Sequence, residues 1–275
     1  MEELVSAFDA QVDNALFWLA DHASFVFDFC RLVLEGLYAG VLGLLMLPPF
    51  YVIAALAGLL AWRVLGLVPG VVTAAALALC AAMMLWPETM STLALVIAAT
   101  VIALATGLPL GVLAGLLPRL EKLLTPALDL VQTLPPYIYL LPSIALLGYG
   151  PATALIATVI VAMPPAIRLT ALGIRQTPRE FIELGHATGV TPLQMFLKIR
   201  LPFAVPSIMA GVNQSLMMAF GMVVIAGIVG SGGLGETIYG AIRTLDIATS
   251  INASIAIVVL TMVLDRVTQA AARTK

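Results

Sequence analysis

Seven long apolar runs, at 49–65, 68–87, 92–117, 127–147, 151–167, 204–229 and 250–267, dominate the chain. Most approach or exceed the ~20 mostly apolar residues that a helix needs to cross a bilayer. The breaks fall on residues that end helices: Gly66 to Gly70 with Pro69, Trp86-Pro87-Glu88, Pro118-Arg119 and Gly148-Tyr149-Gly150-Pro151. One longer polar stretch, from Arg168 to Pro202, separates the fifth run from the sixth. The pattern predicts an all-α, polytopic integral membrane protein with about seven transmembrane helices, carried by residues 48–275.

Residues 1–47 follow a different rule. Glu2, Glu3, Asp9, Asp13, Asp21, Asp28 and Glu35 are interspersed with Phe8, Leu16, Phe17, Leu19, Phe25, Phe27 and Phe29. The mixture reads as an amphipathic segment lying on the outer, periplasmic-side face of the membrane. Residues 32–47 alone are apolar enough to form an eighth span, which would place residues 1–30 on the inner side. The segment has no basic region ahead of an apolar one and is not read as a secretory signal.

Composition agrees with a lipid solvent. Of 275 residues 10% are charged and 61% are hydrophobic, against about 25% charged in soluble domains. A soluble enzyme and a disordered chain are excluded, and a net charge of −2 offers nothing to a nucleic acid. The two cysteines, Cys30 and Cys80, make no disulfide framework, and Cys80 reads as a small hydrophobe. Orientation follows from the cations. With 168–202 inside and the seven spans alternating, Arg63, Arg119, Lys122, Arg168, Arg175, Arg179, Lys198, Arg200, Arg266, Arg273 and Lys275 fall inside. Only Arg31 and Arg243 fall outside, so the N-terminus is expected outside and the C-terminus in the cytoplasm.

The polar stretch carries helix punctuation. Thr177-Pro178-Arg179-Glu180 and Thr191-Pro192-Leu193-Gln194 each read as a capping box with proline at the first helical position. Gly189 stands between them where a helix end needs positive φ. Two short helices are predicted, about 178–187 and 192–200, lying along the membrane surface. On the first, Phe181, Leu184 and Thr188 share a face while Glu183 and His186 occupy another flank.

Glu183-Leu184-Gly185, three residues, Gly189, nine residues and then Ile199-Arg200-Leu201-Pro202 resembles the EAA loop of ABC-importer permeases. It departs from that pattern in Leu184-Gly185, where the family has two alanines. The resemblance implies that 177–202 is a coupling helix region docking on an ATPase, with that role on Glu183, Gly189, Ile199, Leu201 and Pro202. Further segments resemble the ProW-type permeases of proline betaine, glycine betaine and choline importers: 132–142, 164–170, 173–176, 208–214, 222–226, Gly232-Gly233-Leu234-Gly235 and Leu264-Asp265-Arg266. The resemblance spans about residues 50–270. It implies a bacterial inner-membrane permease that moves quaternary-ammonium compatible solutes inward by alternating access. It also implies a homodimer served by two ATPase chains and a separate substrate-binding protein. A permease for another small solute, such as an amino acid, and a non-transporting scaffold or sensor that docks an ATPase remain the alternatives.

Motif searching narrows the chemistry. No Gly-Lys pair occurs, so no Walker A loop exists, and ATP and Mg are expected on the partner ATPase with no cofactor on this chain. HExxH and Gly-x-Ser-x-Gly are absent, and His22 and His186 are the only histidines. No catalytic or metal-ligating set is assigned. Gly230-Ser231-Gly232-Gly233-Leu234-Gly235 fits a dinucleotide fingerprint but follows a membrane span, not a strand. It reads as a flexible external loop. A secondary transporter would want acids buried mid-span, whereas Asp129 and Asp265 lie near predicted ends.

Candidates for the translocation path come from interrupted or polar spans. Pro135, with Pro136, Pro142, Pro164 and Pro165, breaks helical hydrogen bonds, which suits either a transport path or a kink in a packed bundle. Tyr137, Tyr139 and Phe220 could meet a quaternary ammonium through cation–π contact, or the tyrosines could mark the interface. Asn213, Gln214 and Ser215 should face the bundle. Met217, Met218 and Met222 read as either an adaptable gate or plain core.

Overall fold

A computed structural model describes residues 21–273 continuously, together with Ser6, Ala10, Gln11, Asn14, Trp18 and Leu19. Among the described residues all regular structure is helical. In chain order it comprises α1 (Ser24–Met46), α2 (Phe50–Leu65), α3 (Leu67–Ala82), α4 (Trp86–Leu116), α5 (Pro118–Thr133), a 3-10 turn (Pro136–Tyr139) and α6 (Leu140–Leu147). There follow α7 (Pro151–Arg175), α8 (Arg179–Ala187), α9 (Pro192–Gln194), a π-helical turn (Met195–Arg200), α10 (Leu201–Ala226), a second 3-10 turn (Gly227–Val229), α11 (Gly233–Thr244) and α12 (Ile247–Arg273).

The centre of the bundle is α7, sandwiched between α4 and α10. Small residues set the spacing. Gly107, Gly111 and Gly115 recur one turn apart on α4, and a Cβ at Gly111 would stand 2.7 Å from the Ile167 carbonyl oxygen. On the far side of α7, a Cβ at Gly173 would come within 2.8 Å of Ser207. In lipid, helix association depends on such close backbone approach because tails compete equally for apolar side chains. Two buried hydroxyls in these spans bond back along their own helices, Thr89 to the Leu85 carbonyl at 2.6 Å and Thr158 to that of Ala154 at 2.6 Å.

The seven apolar runs do not all fold as helices of spanning length. Among the described residues five helices are long and apolar enough to cross a membrane, or six if one bent pair counts as a span. The runs at 49–65 and 68–87 fold as α2 and α3, 16 residues each. At 1.5 Å per residue each reaches about 24 Å, short of the ~30 Å hydrocarbon core. They form a tight hairpin in which a Cβ at Gly58 would lie 2.9 Å from Ala74. The run at 127–147 is not one helix: α5 and the segment Pro136–Leu147 meet at 107°. Pro135 and Pro136 remove two successive donors. The carbonyl of Val131, which residue 135 would normally satisfy, instead accepts a hydrogen bond from Tyr139 Oη at 2.9 Å.

Helix α1 is one of the five. Its contacts, however, gather at one end of the bundle. The Arg31 guanidinium lies beside Gly148, Tyr38 Oη is 2.8 Å from Ser91 Oγ, and the same hydroxyl neighbours Gly232. Just beyond α1, Phe50 meets Trp86 edge-on. The acids Glu2, Glu3, Asp9 and Asp13 of the expected amphipathic segment lie outside the described residues.

The glycine-rich stretch 227–235 is a fixed joint, not the flexible loop expected from its composition. Gly150 N–H donates to the Val229 carbonyl at 3.0 Å, Leu234 N–H to Thr92 Oγ1 at 2.8 Å, and Gly232 N–H to Glu236 Oε2 at 2.7 Å. Gly227 packs directly on the backbone of Gly235. The glycines are needed for close approach within the chain. Beyond α11, Asp246 accepts bonds from the Thr249 amide and hydroxyl, which hold its carboxyl below the usual carboxylate range.

Candidate functional site

Two regions hold the residues singled out by the sequence. The first begins where α7 leaves the bundle. Arg175 forms an ion pair with Glu121 of α5, and one turn-pair deeper Arg168 meets Asp129 at 2.5 Å. Thr177 is buried and donates to the Ile174 carbonyl at 2.9 Å, so it closes α7 and does not open α8. The capping box expected at Thr177 and Glu180 is therefore absent, and α8 starts behind Pro178. The second box forms as expected. Gln194 N–H donates to Thr191 Oγ1 at 3.3 Å, and Thr191 N–H to Gln194 Oε1 at 3.0 Å.

Gly189 turns the chain at φ +71°. The second predicted helix is not separate: α9 winds through the π-helical turn into α10 as one apolar helix, Pro192–Val229. Pro202 removes the donor for the Lys198 carbonyl and its ring crowds that oxygen, which the wider preceding turn accommodates. Gly185, where the EAA pattern has alanine, is buried under this segment. A Cβ there would meet Met195 Cε at 2.7 Å and Ile199 Cδ1 at 2.8 Å. The departure from the pattern thus has a local partner in the bulk of Met195. Phe181 packs on Phe203 with ring centroids 4.8 Å apart.

What this leaves outward is specific. Glu183 and Pro202 are exposed, Ile199 and Leu201 are half-buried, and Leu184, Leu193 and Leu197 expose apolar side chains. An apolar ridge beside a carboxylate, held on a short braced helix, suits a protein partner more than water.

The second region is the face of α10 and the broken helix beside it. Asn213 is tied to α12: its Nδ2 donates to Asp265 Oδ1 at 3.3 Å and its Oδ1 accepts from Thr268 Oγ1 at 2.7 Å. Phe220 and Met222 are buried in the central core, which removes them from any open face of the single chain. Tyr139 holds the bend at Val131. Pro135, Tyr137 and Met218 remain exposed, with Met217 half-buried. The sequence predicts that Asn213, Gln214 and Ser215 all face the bundle, with Asn213 as the path candidate, yet Gln214 faces outward, in line with Ala210, Met218 and Gly221. Their spacing of three and four residues is the signal that could have chosen it. Among the described residues no group of three or more His, Cys, Asp or Glu side chains could hold a metal.

Comparison with known proteins places this geometry. Residues 107–274 match the family model described as binding-protein-dependent transport system inner membrane component. The chain is 40% identical over 265 residues to the glycine betaine/proline betaine transport system permease protein ProW of Escherichia coli (strain K12), covering 96% of this chain and 75% of that protein. It is 44% identical over 184 residues to the glycine betaine transport system permease protein OpuAB of Bacillus subtilis (strain 168), covering 67% of this chain and 65% of that protein. An inward-facing structure of the MetNI methionine ABC transporter superposes with a TM-score of 0.60 at 23% identity, over 66% of this chain and 92% of that one. This last likeness concerns the fold alone.

Proposed function

Because the chain belongs to the family of binding-protein-dependent transport system inner membrane components, we propose that it is the translocating subunit of an ABC importer for quaternary-ammonium compatible solutes. The observation that carries the reading is the α8 region: a braced helix that presents Glu183, Leu184, Leu193 and Leu197 outward at the foot of α7 and α10. The solute class is carried by the relatives, whose names specify glycine betaine and proline betaine. On this reading the chain hydrolyses nothing. ATP and Mg are bound by two copies of a separate ATPase, which push on residues 177–202. A substrate-binding protein delivers solute at the opposite end, and a second copy of this chain completes the passage. The chain sits in the bacterial inner membrane with α8 and the C-terminus in the cytoplasm, the side that collects most of its Lys and Arg.

The test is uptake of labelled choline by osmolyte-transport-deficient cells expressing this chain with its ATPase and binding protein, with glycine betaine as competitor. ATP-dependent uptake suppressed by glycine betaine supports a broad importer of such solutes. Uptake that glycine betaine leaves untouched restricts the reading to choline. Absence of uptake of either solute, labelled in turn, by an assembled complex would overturn the solute class.

A further inference from the structure

Gln214 lies at the midpoint of the 26-residue α10, about 18–20 Å along the axis from either end. It is exposed, and its side chain makes no hydrogen bond among the described residues. The polar residues flanking it are differently placed: Asn213 is tied to α12, and Ser215 is buried. An amide with two donors and an acceptor is costly to leave in hydrocarbon, so this face of α10 meets water, solute or protein, not lipid tails. Its neighbour on the bundle points the same way. The Pro136–Tyr139 turn packs against α10, with Pro135 exposed in the 107° break and Tyr137 exposed just beyond it. Unwound backbone at membrane depth is tolerated where protein buries it or a water-filled cavity is lined by it.

We propose that Gln214 is a specificity-determining residue of the solute passage, its amide N–H meeting the carboxylate end of a betaine-type zwitterion while the Tyr137 ring faces the ammonium end. The solute class rests on the proposed function; the position of the passage does not. A neutral amide grips a carboxylate through a hydrogen bond without an opposing charge, and an aromatic face attracts a quaternary ammonium without a proton to exchange. Neither group holds solute as an ion pair would, which suits a site that must release inward what a binding protein delivers. Asn213 instead is a positioning residue, holding α10 against α12 so that its neighbour points into the passage.

The experiment uses the assembled complex in proteoliposomes, with Cys30→Ser and Cys80→Ala removing the native thiols. Gln214→Cys is exposed to the hydrophilic reagent methanethiosulfonate ethylammonium, at rest and during turnover. The expected result is reaction in at least one state, slowed several-fold by saturating glycine betaine, while the buried position in Met222→Cys stays unreactive. Gln214→Leu should lower kcat/KM for glycine betaine uptake by about tenfold or more, with ATP hydrolysis still stimulated by the binding protein. Gln214→Cys that is inert in every state, or that reacts only with a membrane-partitioning maleimide, would overturn the passage assignment. Ready reaction in a complex that moves no quaternary-ammonium solute would leave the passage in place and overturn the solute class instead.

Discussion

At the Pro151 end of α7, backbone and side chains from four elements close on one another. Gly150 donates to Val229, Thr153 Oγ1 bonds the Gly148 carbonyl, Thr92 receives the Leu234 amide and Tyr38 reaches Ser91. At the Arg175 end the chain leaves the bundle on a single ion pair to Glu121 and re-enters through the Thr191 cap, with three leucines left outward. The two ends use the same residue types for opposite purposes. Hydroxyls and glycines in the first tie its backbone to neighbouring elements. Caps and a positive-φ glycine in the second define a helix yet leave its surface available. On the proposed function, a subunit pushed at the Arg175 end needs the other end to keep its own packing while the bundle tilts.

Charge reversal at the exposed end should have the largest effect. Glu183→Arg is expected to lower solute uptake and binding-protein-stimulated ATP hydrolysis at least ~30-fold, the scale of a lost interface hot spot. Its membrane insertion and thermal unfolding should match the parent, since exposed Glu183 makes no hydrogen bond or ion pair among the described residues. Uptake and ATP hydrolysis at parental rates would remove the asymmetry between the ends. Thr92→Val probes the closed end. It leaves the buried Leu234 amide without its acceptor and should cost about 1–3 kcal/mol, read as a lowered Tm of the purified chain in detergent. The matched deletion at the open end, Thr191→Ala, removes an exposed cap worth about 1 kcal/mol. Its consequence should stay local, as faster hydrogen exchange at Leu193 and Gln194 with Tm unchanged. A Tm drop equal to that of Thr92→Val would mean that the α8 region is as integral to the fold as the glycine joint.

Much of the candidate site was legible in residue order because local chemistry specifies it. Thr191 and Gln194 form their capping box, and Gly189 turns with positive φ, both as spacing alone required. The Thr177 box failed because a buried threonine found the Ile174 carbonyl nearer than the next helix, a choice that depends on where α7 ends. The path candidates divided for a similar reason. Apolar and polar residues along α10 carry no mark of which neighbour they will meet, so Phe220 and Met222 went to the core and Asn213 to α12. Gln214 was left on the open face.

By itself the sequence determined the lipid solvent and the helical class, since hydropathy acts through the surroundings of each segment. It also marked where helical hydrogen bonds are lost, because proline lacks a donor wherever it stands, yet Pro109, Pro164, Pro165 and Pro206 lie inside continuous helices. The tertiary structure decided how those losses are used. At Pro135 the lost donor became a 107° bend because Tyr139 was in reach of the Val131 carbonyl. At Pro202 it became a wider turn within one continuous helix. Around Gly233 flexibility became rigidity because Thr92 of a distant helix met the freed amide. Each outcome turns on a partner far along the chain, and only the folded bundle brings that partner near.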